Sequence, residues 1–416
     1  MKLQNQKQFI KTVMLVVIFT FAFLIGYTFG SNGSSGSFTI SSGIYPGAAT
    51  YTIYKEGNTY YAKNAYGAIE FSGTDAATVI QTTINALNKG TILIKAGEYP
   101  LSKSLILNKT VSLCGEGKGT ELQITSDVNG IVLSKTPDGF APGNIQNLAI
   151  RATSASYNSA LIYINASNYS GIFRNIVENV FLWRSAFLSR TGCGIKIETT
   201  LPGTGFSYFC FKDIYIHGLS TGIILETIQP NSWISWNTFE NINIMHANQA
   251  IYIHDTTGAG LGVHNNFFIN VKIYGSEITK AFTLDGGKRN VFLECQAGDL
   301  SPEAYSLYIT SAAYYNVIIL GSMPASVFIG NNSNIIKFVR YLVTENSGTA
   351  TITAGNTYVT VTHGLSITPD INRIKVTPKD NLNGRSFWVG NVTSTTFRIY
   401  ISSSDTVNHS FGWSYD

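Results

Sequence analysis

The chain of 416 residues is long enough to bury a large core, and 44% of its residues are hydrophobic while 12% are charged. This composition is typical of a β-rich extracellular protein and excludes a disordered chain. The formal net charge is +4, and Lys2, Lys7 and Lys11 account for 3 of it, which leaves +1 for the rest. A chain without a basic surplus in its main part offers no face for phosphates, so we exclude nucleic-acid binding.

Residues 12–29 form an apolar segment without charges, and residues 1–11 before it carry only positive charges. The segment is long enough to span a bilayer, and its positive flank predicts a cytoplasmic tail of residues 1–11. We therefore expect a transmembrane signal anchor in the cell membrane, with the rest of the chain outside the cell. The alternative is a cleaved signal peptide and a secreted protein, although residues 26–30 lack a clean cleavage site.

Residues 30–49 are rich in serine and glycine and predict a flexible linker. Residues 51–61 alternate on both sides of Glu-Gly-Asn, which predicts a hairpin. Residues 74–87 place apolar side chains at helical spacing and predict an amphipathic helix. The residues of that apolar face are Ala77, Ile80, Ile84 and Leu87. We assign residues 50–88 to this hairpin and helical cap.

Three phrases, at residues 74–87, 90–99 and 113–120, together resemble the opening of pectate-lyase-like proteins of the pectin lyase superfamily. The resemblance covers roughly residues 65–340 and implies an all-β fold, a right-handed parallel β-helix whose open end is capped by the helix. It also implies a carbohydrate-associated scaffold. The superfamily includes lyases, hydrolases, phage tailspikes and catalytically silent members, so the fold alone selects no reaction.

One phrase recurs seven times between residues 143 and 320: Asn, any residue, an apolar residue, any residue, then Asn, Asp or Glu. Two of the copies lack the first Asn. The central apolar positions are 145, 177, 211, 239, 268, 292 and 318. A repeat of this length indicates stacked supersecondary units.

A small residue opens a second alternating segment in each unit, at positions 160, 194, 222, 250, 281, 306 and 326. Two strands per unit without a helix between them exclude helical and leucine-rich repeats and predict a coil of parallel strands over residues 50–343. The last residue of the phrase predicts a structural ladder, because Asn tolerates left-handed backbone angles and its amide can pair with the next coil. That ladder consists of Asn147, Asn179, Asp213, Asn241 and Asn270.

One position of the second strand predicts a row of side chains along one edge of the coil. Its members are Ile164, Glu198, Glu226, His254, Asp285 and Thr310. Coils lie about 4.8 Å apart, so Glu198 and Glu226 would be close enough for one pKa to rise, as in a retaining glycosidase. Pairing Glu198 with His254 or Asp255, one coil further on, would suit an inverting enzyme.

We therefore name four candidate catalytic carboxylates: Glu198, Glu226, Asp255 and Asp285. Lys196, on the same strand as Glu198, is a candidate to neutralise a uronate or to act as a base. Solvated polar residues at a turn explain the same pattern without any catalysis.

The aromatic side chains favour carbohydrate binding over a reaction. Trp233 and Trp236 are predicted in a loop between strands, and Tyr252 and Tyr308 should point outward. Exposed rings stack on sugar faces. The candidate carbohydrate-binding residues are Trp233, Trp236, Tyr252 and Lys196. The alternative for the tryptophans is packing of a loop onto the coil.

The histidines show no repeating metal-ligand spacing, so we predict neither a metal site nor a cofactor. The four cysteines form an even set in an exported chain. Cys193 and Cys210 fall within one coil and are the candidate disulfide. The alternative is that the cysteines pack as small apolar residues.

Six short alternating segments in residues 344–416 predict an antiparallel β-sandwich. Phrases at residues 361–365 and 391–397 resemble terminal modules of phage fibres and, more weakly, H-type lectins. This resemblance implies glycan binding or trimerisation. A cap that covers the edges of the last coil is the alternative.

The superfamily's familiar catalytic phrases are missing from the coil: the Trp-Ile-Asp-His phrase of pectate lyases is absent, and of the polygalacturonase phrases only Arg-Ile-Lys occurs, at residues 373–375. The sequence therefore favours a membrane-anchored surface protein that binds a polysaccharide or glycan. The first alternative is a polysaccharide-degrading lyase or glycoside hydrolase. The second is a structural or adhesive rod, in the form of a homotrimer.

Overall fold

The structure, a computed structural model, describes residues 49–134, 142–166, 175–185, 190–257, 261–321, 326–338, 346–365 and 368–415. The predicted cytoplasmic tail, signal anchor and nearly all of the linker lie outside these residues. So does the predicted boundary between coil and sandwich at residue 343. Within the described ranges, no helix combines the length and the apolar character that a membrane span requires.

The chain begins its described part with the predicted hairpin and helix. Strands Tyr51–Glu56 and Thr59–Asn64 pair antiparallel, and Ile69–Gly73 adds to them. Helix Ala76–Ala86 begins after Asp75, whose carboxylate accepts a hydrogen bond from the backbone N–H of Ala77 (3.1 Å) and so satisfies a donor that the first helical turn leaves free. The predicted apolar face joins the main core, which confirms the helix and its orientation.

Two sheets of parallel strands form the walls of the coil. The first sheet contains Lys89–Ile94, Gly97–Leu101, Thr110–Cys114, Thr120–Ile124, Ile145–Ala152, Ile176–Arg184, Cys210–His217, Thr238–Met245, Phe267–Ile269, Lys272–Tyr274, Val291–Gly298, Val317–Leu320 and Ile335–Phe338, and the hairpin extends it. The second sheet contains Leu105–Leu107, Ile131–Leu133, Ala160–Asn165, Cys193–Thr199, Thr221–Thr227, Gln249–Asp255, Lys280–Asp285, Tyr305–Ile309 and Ser326–Ile329. The chain alternates between these walls from coil to coil and is a parallel β-helix.

The central apolar residues of the repeated phrase form one interior column, as predicted. Each pairs with its counterpart in the next coil, in the order Ile145, Val177, Phe211, Phe239, Phe268, Phe292 and Ile318. The four phenylalanine rings are nearly parallel, with centroids 4.7, 4.8 and 4.5 Å apart. All seven side chains are buried. The phrase therefore sets the register of the coil.

The predicted outer ladder is also present. Its five residues all have positive φ, between 52° and 57°. Asn179 donates a side-chain hydrogen bond to Asn147 (2.8 Å), Asn270 donates to Asn241 (2.8 Å), and Asn241 donates to Asp213 (3.0 Å). These residues make the turn at which the strand bends, which is a structural role.

A second, inner ladder was not predicted. It is formed by the first Asn of the phrase at Asn237, Asn266, Asn290 and Asn316, and by Asn334 one coil further on. The Oδ1 atom of Asn266 accepts from both the backbone N–H (3.1 Å) and the Nδ2 (2.9 Å) of Asn237, and this pattern repeats on the following coils. Four members, all but Asn334, are completely buried. The ladder pairs buried polar groups that would otherwise be costly.

A third sheet of short parallel strands closes the side of three coils. It contains Gly205–Ser207, Trp233–Ser235 and Gly262–His264. The prediction that Trp233 lies in a loop is therefore wrong. A strand of three residues is too short to show an alternating pattern, so only its hydrogen bonds to neighbouring coils reveal it.

The candidate disulfide is also wrong, because all four cysteines are free. Cys193 pairs with Ala160 and Thr221 in the second sheet, whereas Cys210 lies in a strand of the first sheet. Burial raises the pKa of Cys193 to about 12, so its thiol stays protonated. The alternative reading, in which the cysteines act as small packed residues, fits this environment.

The C-terminal region contains the six predicted strands in two antiparallel sheets. One sheet consists of Asn346–Ile352, His409–Tyr415 and Ile374–Pro378; the other consists of Tyr358–Thr362, Thr396–Ile401 and Phe387–Gly390. The third of these strands along the chain begins at Ile374, because the preceding Ile371–Arg373 form a 3-10 turn that Asp370 caps. Both sheets contribute to one apolar core, as in a sandwich.

A buried histidine holds two loops of this sandwich. His409 is 1% exposed, and its Nδ1 and Nε2 atoms lie 2.8 Å from Asp380 Oδ1 and 2.9 Å from Asp405 Oδ2. Arg385 also contacts Asp405 (2.5 Å). Because a carboxylate can only accept, both ring nitrogens donate, and the ring is an imidazolium. The hydrogen bonds to Asp380 and Asp405 raise the pKa of His409.

We expect the sandwich to lose stability as the pH rises through this raised pKa. The stabilisation is fully present below the unfolded pKa of about 6.5 and disappears above the folded pKa. Between these two pH values the unfolded chain has lost the proton while the folded chain still holds it, so rising pH favours unfolding. The lowered pKa values of Asp380 and Asp405 predict a second loss in acid, below their unfolded pKa of about 3.9. Thermal unfolding measured from pH 3 to pH 10 checks both limbs. In His409→Gln the alkaline limb should flatten; an unchanged limb would contradict the assignment.

Candidate functional site

The second sheet carries the predicted row of polar side chains. Strand pairing aligns Asn165, Glu198, Glu226, His254 and Asp285 on consecutive coils. The row begins at Asn165 and not at Ile164, which aligns with the core residue Ile197. The prediction was shifted by one residue in this strand, and a shift of one moves a side chain to the opposite face.

Lys196 links the two glutamates of this row. Its Nζ contacts Glu198 Oε2 directly and lies 3.1 Å from Glu226 Oε2. Tyr163 donates a hydrogen bond to the other oxygen of Glu198. His254 Nδ1 donates to Glu226 Oε1 (3.0 Å), and its Nε2 lies 4.0 Å from Asp285. The ammonium of Lys196 therefore lies between the two glutamates, and the His254 ring lies between Glu226 and Asp285.

The contacts of Glu226 oppose the predicted effect, in which crowding raises the pKa of one of the two glutamates. Burial acts in that direction at Glu226, but the hydrogen bond from His254 and the charge of Lys196 lower its pKa. Burial likewise would lower the pKa of Lys196, yet its contacts with both glutamates raise it. At neutral pH Glu226 is ionised and Lys196 is protonated. A protonated ammonium has no lone pair with which to take a proton, so these contacts do not favour Lys196 as a base.

Asp255 does not belong to this row. Its carboxylate accepts hydrogen bonds from Thr227 (3.0 Å), from the side chain and backbone of Thr257 (2.6 and 3.0 Å) and from the backbone of Val263 (3.1 Å). A carboxylate that accepts four hydrogen bonds from three residues holds the chain between the second and third sheets. We therefore withdraw Asp255 as a catalytic candidate.

A cavity of about 510 Å³ lies beside the start of the row, and its lining includes Tyr163, Arg190, Lys196 and Glu198. Tyr252 lies further along the same face, where its hydroxyl is 3.4 Å from Asp285 and its ring stacks on His254. Tyr252 therefore contributes to the row of Glu198, Glu226, His254 and Asp285, which we call the charged row, and not to this cavity.

A second cavity, which we call the aromatic groove, lies beside the third sheet. It has a volume of about 420 Å³ and is lined by Ser207, Tyr208, Trp233, Ser235, Trp236, Leu261 and His264. Tyr208 and Trp236 have nearly parallel rings, 5° apart in orientation with centroids 6.2 Å apart. They are 41% and 40% exposed. Two large rings so close together and so open to solvent form an apolar surface suited to a ligand.

Trp233 and Trp236 are held differently. Trp233 is half-buried and packs on Gly205 of the preceding coil, where an added Cβ would lie 2.1 Å from the indole. Its role is therefore partly the packing that we had named as the alternative. Trp236 follows this strand with φ of +58° and is 40% exposed.

Polar groups complete the groove. Ser207 and Ser235 share a hydrogen bond (2.9 Å). His264 Nδ1 lies 2.9 Å from the carbonyl oxygen of Gly262, so it must donate, and Nε2 is left as an acceptor on the neutral ring. Burial lowers the pKa of His264, which keeps the ring neutral at pH 7. The groove thus combines two exposed rings with hydroxyls and an imidazole acceptor.

The two cavities share no lining residue, so the predicted carboxylates and tryptophans do not converge on one site. Sequence reasoning missed Tyr208, Leu261 and His264. A usable signal existed for Tyr208, because it lies just before a repeated phrase in the position that Trp236 occupies one coil later. In the part of the chain that the structure describes, no cluster of three His, Cys, Asp or Glu side chains could hold a metal ion.

No protein-family model matches this chain, and no curated protein is significantly similar to it. Among solved structures, the chain is similar to ORF18 of Geobacillus virus E2, with 13% identity, a TM-score of 0.39 and coverage of 81% of this chain and 73% of that one. It is similar to the phiAB6 tailspike, solved with oligosaccharides of Acinetobacter baumannii surface polysaccharide, with 12% identity, a TM-score of 0.39 and coverage of 82% and 84%.

A third similar structure is the tailspike gp49 of the Acinetobacter baumannii bacteriophage Fri1, described as a capsular polysaccharide depolymerase. The identity is 11% and the TM-score is 0.33, over 82% of this chain and 83% of that one.

Proposed function

We propose that this protein binds a polysaccharide through the aromatic groove. The observation that carries the proposal is the exposed, nearly parallel pair of Tyr208 and Trp236 at the groove. Sugar rings present C–H faces that stack on aromatic rings while their hydroxyls need polar partners. A groove that joins such rings to hydroxyls meets both needs.

The polar lining supports this assignment because it offers hydrogen bonds of both kinds. The Ser207–Ser235 pair uses one hydroxyl hydrogen between its own members, so it can donate the other and can accept, and the neutral His264 offers an acceptor. None of these three side chains is charged at neutral pH. A neutral lining is suited to hydroxyl groups, which lose little on leaving water if each finds a partner.

The charged row is less suited to a reaction than to structure. Glu226 is ionised and Lys196 is protonated at neutral pH, and each is already paired. A retaining glycosidase needs a carboxylic acid that holds its proton until the leaving group takes it. We therefore favour polysaccharide binding over polysaccharide degradation, which is the alternative function.

The location and assembly of the protein remain proposals from its sequence. We propose that residues 12–29 retain it at a membrane with the coil outside, or that it is secreted if this segment is cleaved. The trimeric rod is a separate proposal that light scattering on the purified chain would test.

Trp236→Ala should weaken polysaccharide binding at least about tenfold, because truncating an aromatic anchor of an interface costs about 2 kcal/mol. The measurement is biolayer interferometry of the detergent-solubilised full chain against a panel of neutral and acidic polysaccharides. The matched control is Trp388→Ala, which removes a tryptophan of the C-terminal sandwich that is 48% exposed.

An equal loss of binding in both variants would indicate nonspecific stacking and would contradict the assignment of binding to the aromatic groove. If the wild-type chain binds none of the polysaccharides in the panel, the proposed function is wrong. Reducing ends released during the same incubations test the degradative alternative. If they appear in the wild-type chain and vanish in Glu226→Gln, the charged row is catalytic after all.

A further inference from the structure

One corner of the coil holds a non-glycine residue in the left-handed backbone region on five consecutive coils. These residues, which we call the corner row, are Tyr208, Trp236, Asn265, Arg289 and Tyr315, with φ of 66°, 58°, 54°, 55° and 57°. The last four each immediately precede an Asn of the inner ladder, and Tyr208 precedes Phe209 at the equivalent position.

The inner ladder stacks the corner row. The Asn237 side chain accepts from the backbone N–H of Phe209 (3.0 Å), and each later Asn accepts in the same way from the coil before it. Because each corner-row residue comes just before one of these stacked residues, the corner-row residues also follow one another along the coil axis. The backbone N–H of Trp236 donates to the carbonyl of Asn265 (3.1 Å), which shows this directly.

Most residues of the corner row are of types for which a left-handed backbone conformation costs free energy. A left-handed conformation suits Gly and Asn, whereas in bulky residues it costs on the order of 1–3 kcal/mol. Asn265 shows that asparagine fits this corner. Two tyrosines, a tryptophan and an arginine in the same row therefore stand where a less strained residue was available, and such strain clusters at ligand-binding sites.

The side chains of the row are open to solvent. Tyr315 is 51% exposed, more than either ring of the aromatic groove. Arg289 is exposed and makes no hydrogen bond or ion pair with any residue that the structure describes. The row contains no acidic residue, so its single charge is positive and unneutralised within the row. An anionic group is the complement of such a charge.

We infer that the bound polysaccharide lies along the corner row, parallel to the coil axis, from Tyr208 past Arg289 to Tyr315, and that it carries an anionic group which Arg289 binds. This rests on the proposed function and extends it beyond the aromatic groove. Four coil spacings of about 4.8 Å give the row a length of about 19 Å, long enough for several sugar units. The anionic group is a carboxylate or a sulfate, since a guanidinium binds both in a fork of two hydrogen bonds.

The test is affinity electrophoresis of the full chain in gels that contain dextran, dextran sulfate or polygalacturonate. We expect retardation by a charged polymer and not by dextran, and the two charged polymers separate sulfate from carboxylate. Arg289→Gln should weaken that retardation about tenfold, and Tyr315→Asn should weaken it severalfold. The control Lys103→Gln removes one exposed positive charge far along the sequence from the row and should have no effect.

Urea unfolding of Tyr315→Asn gives a readout that needs no ligand. Its midpoint should rise, because asparagine relieves the left-handed strain. A lower midpoint would mean that Tyr315 is there for stability and would overturn the inference. So would equal retardation of wild type and Arg289→Gln, or no retardation by either charged polymer. If Trp236→Ala loses binding to a polysaccharide while Arg289→Gln and Tyr315→Asn keep it, the proposed function is supported and the extension along the corner row is wrong.

Discussion

Replacing Asn266 by leucine should destabilise the coil by about 2–6 kcal/mol. The change removes the oxygen that accepts from the backbone N–H and from the Nδ2 of Asn237, and both donors are completely buried. A buried donor left without a partner costs about 1–3 kcal/mol. Leucine has the same number of side-chain heavy atoms and the same branch point, so the substitution leaves no cavity. Urea unfolding followed by far-ultraviolet circular dichroism gives the free energy.

The control for this substitution is Asn243→Leu on the neighbouring strand of the first sheet. Asn243 is partly exposed and lies on the outer face, where surface substitutions change stability by about 0.5 kcal/mol or less. Equal stability of Asn266→Leu and Asn243→Leu would show that the inner ladder does not stabilise the coil.

Replacing Phe239 by alanine should cost about 3–5 kcal/mol, the usual range for a buried phenylalanine. The ring of Phe239 is 0% exposed and stacks between Phe211 at 4.7 Å and Phe268 at 4.8 Å. Its removal leaves a cavity that a stack of rigid coils cannot close, because each coil is held by hydrogen bonds to both neighbours. The urea midpoint should fall in proportion, with little change in the slope of the transition.

Phe328→Ala provides the comparison, since that ring is 42% exposed and stacks on Tyr308 at the outer face. It should cost much less than Phe239→Ala. If both substitutions cost the same, the interior column contributes no more than a surface pair, and the account of the core is wrong.

The repeated phrase was sufficient to predict the coil because it carries two independent signals. Its central apolar residue recurs once per unit and is followed by alternating apolar positions, which is the pattern of a strand buried on one face. Its final Asn marks the bend, and Asn147 and Asn179 indeed have left-handed angles. Both signals are local in the chain, so a single sequence displays them.

The candidate site was predicted only in part, for a reason that concerns neighbouring coils. Glu198 and Glu226 were correctly placed on one row, but Lys196 turned their expected repulsion into a shared ion pair. Which nitrogen reaches which oxygen depends on side-chain directions across two coils. The same applies to Asp255, whose partner Val263 lies on the third sheet.

The sequence by itself determined the class of fold, the register of the coil, the helical cap and the six strands of the C-terminal sandwich, because each follows from spacing along one stretch of chain. Only the tertiary structure decided that Trp236 joins Tyr208 in a groove apart from the charged row, and that Arg289 and Tyr315 continue its line. Successive members of the corner row, Asn265 included, are 24 to 29 positions apart in neighbouring coils. Contacts across coils depend on how the units stack, and spacing within one unit does not contain that information.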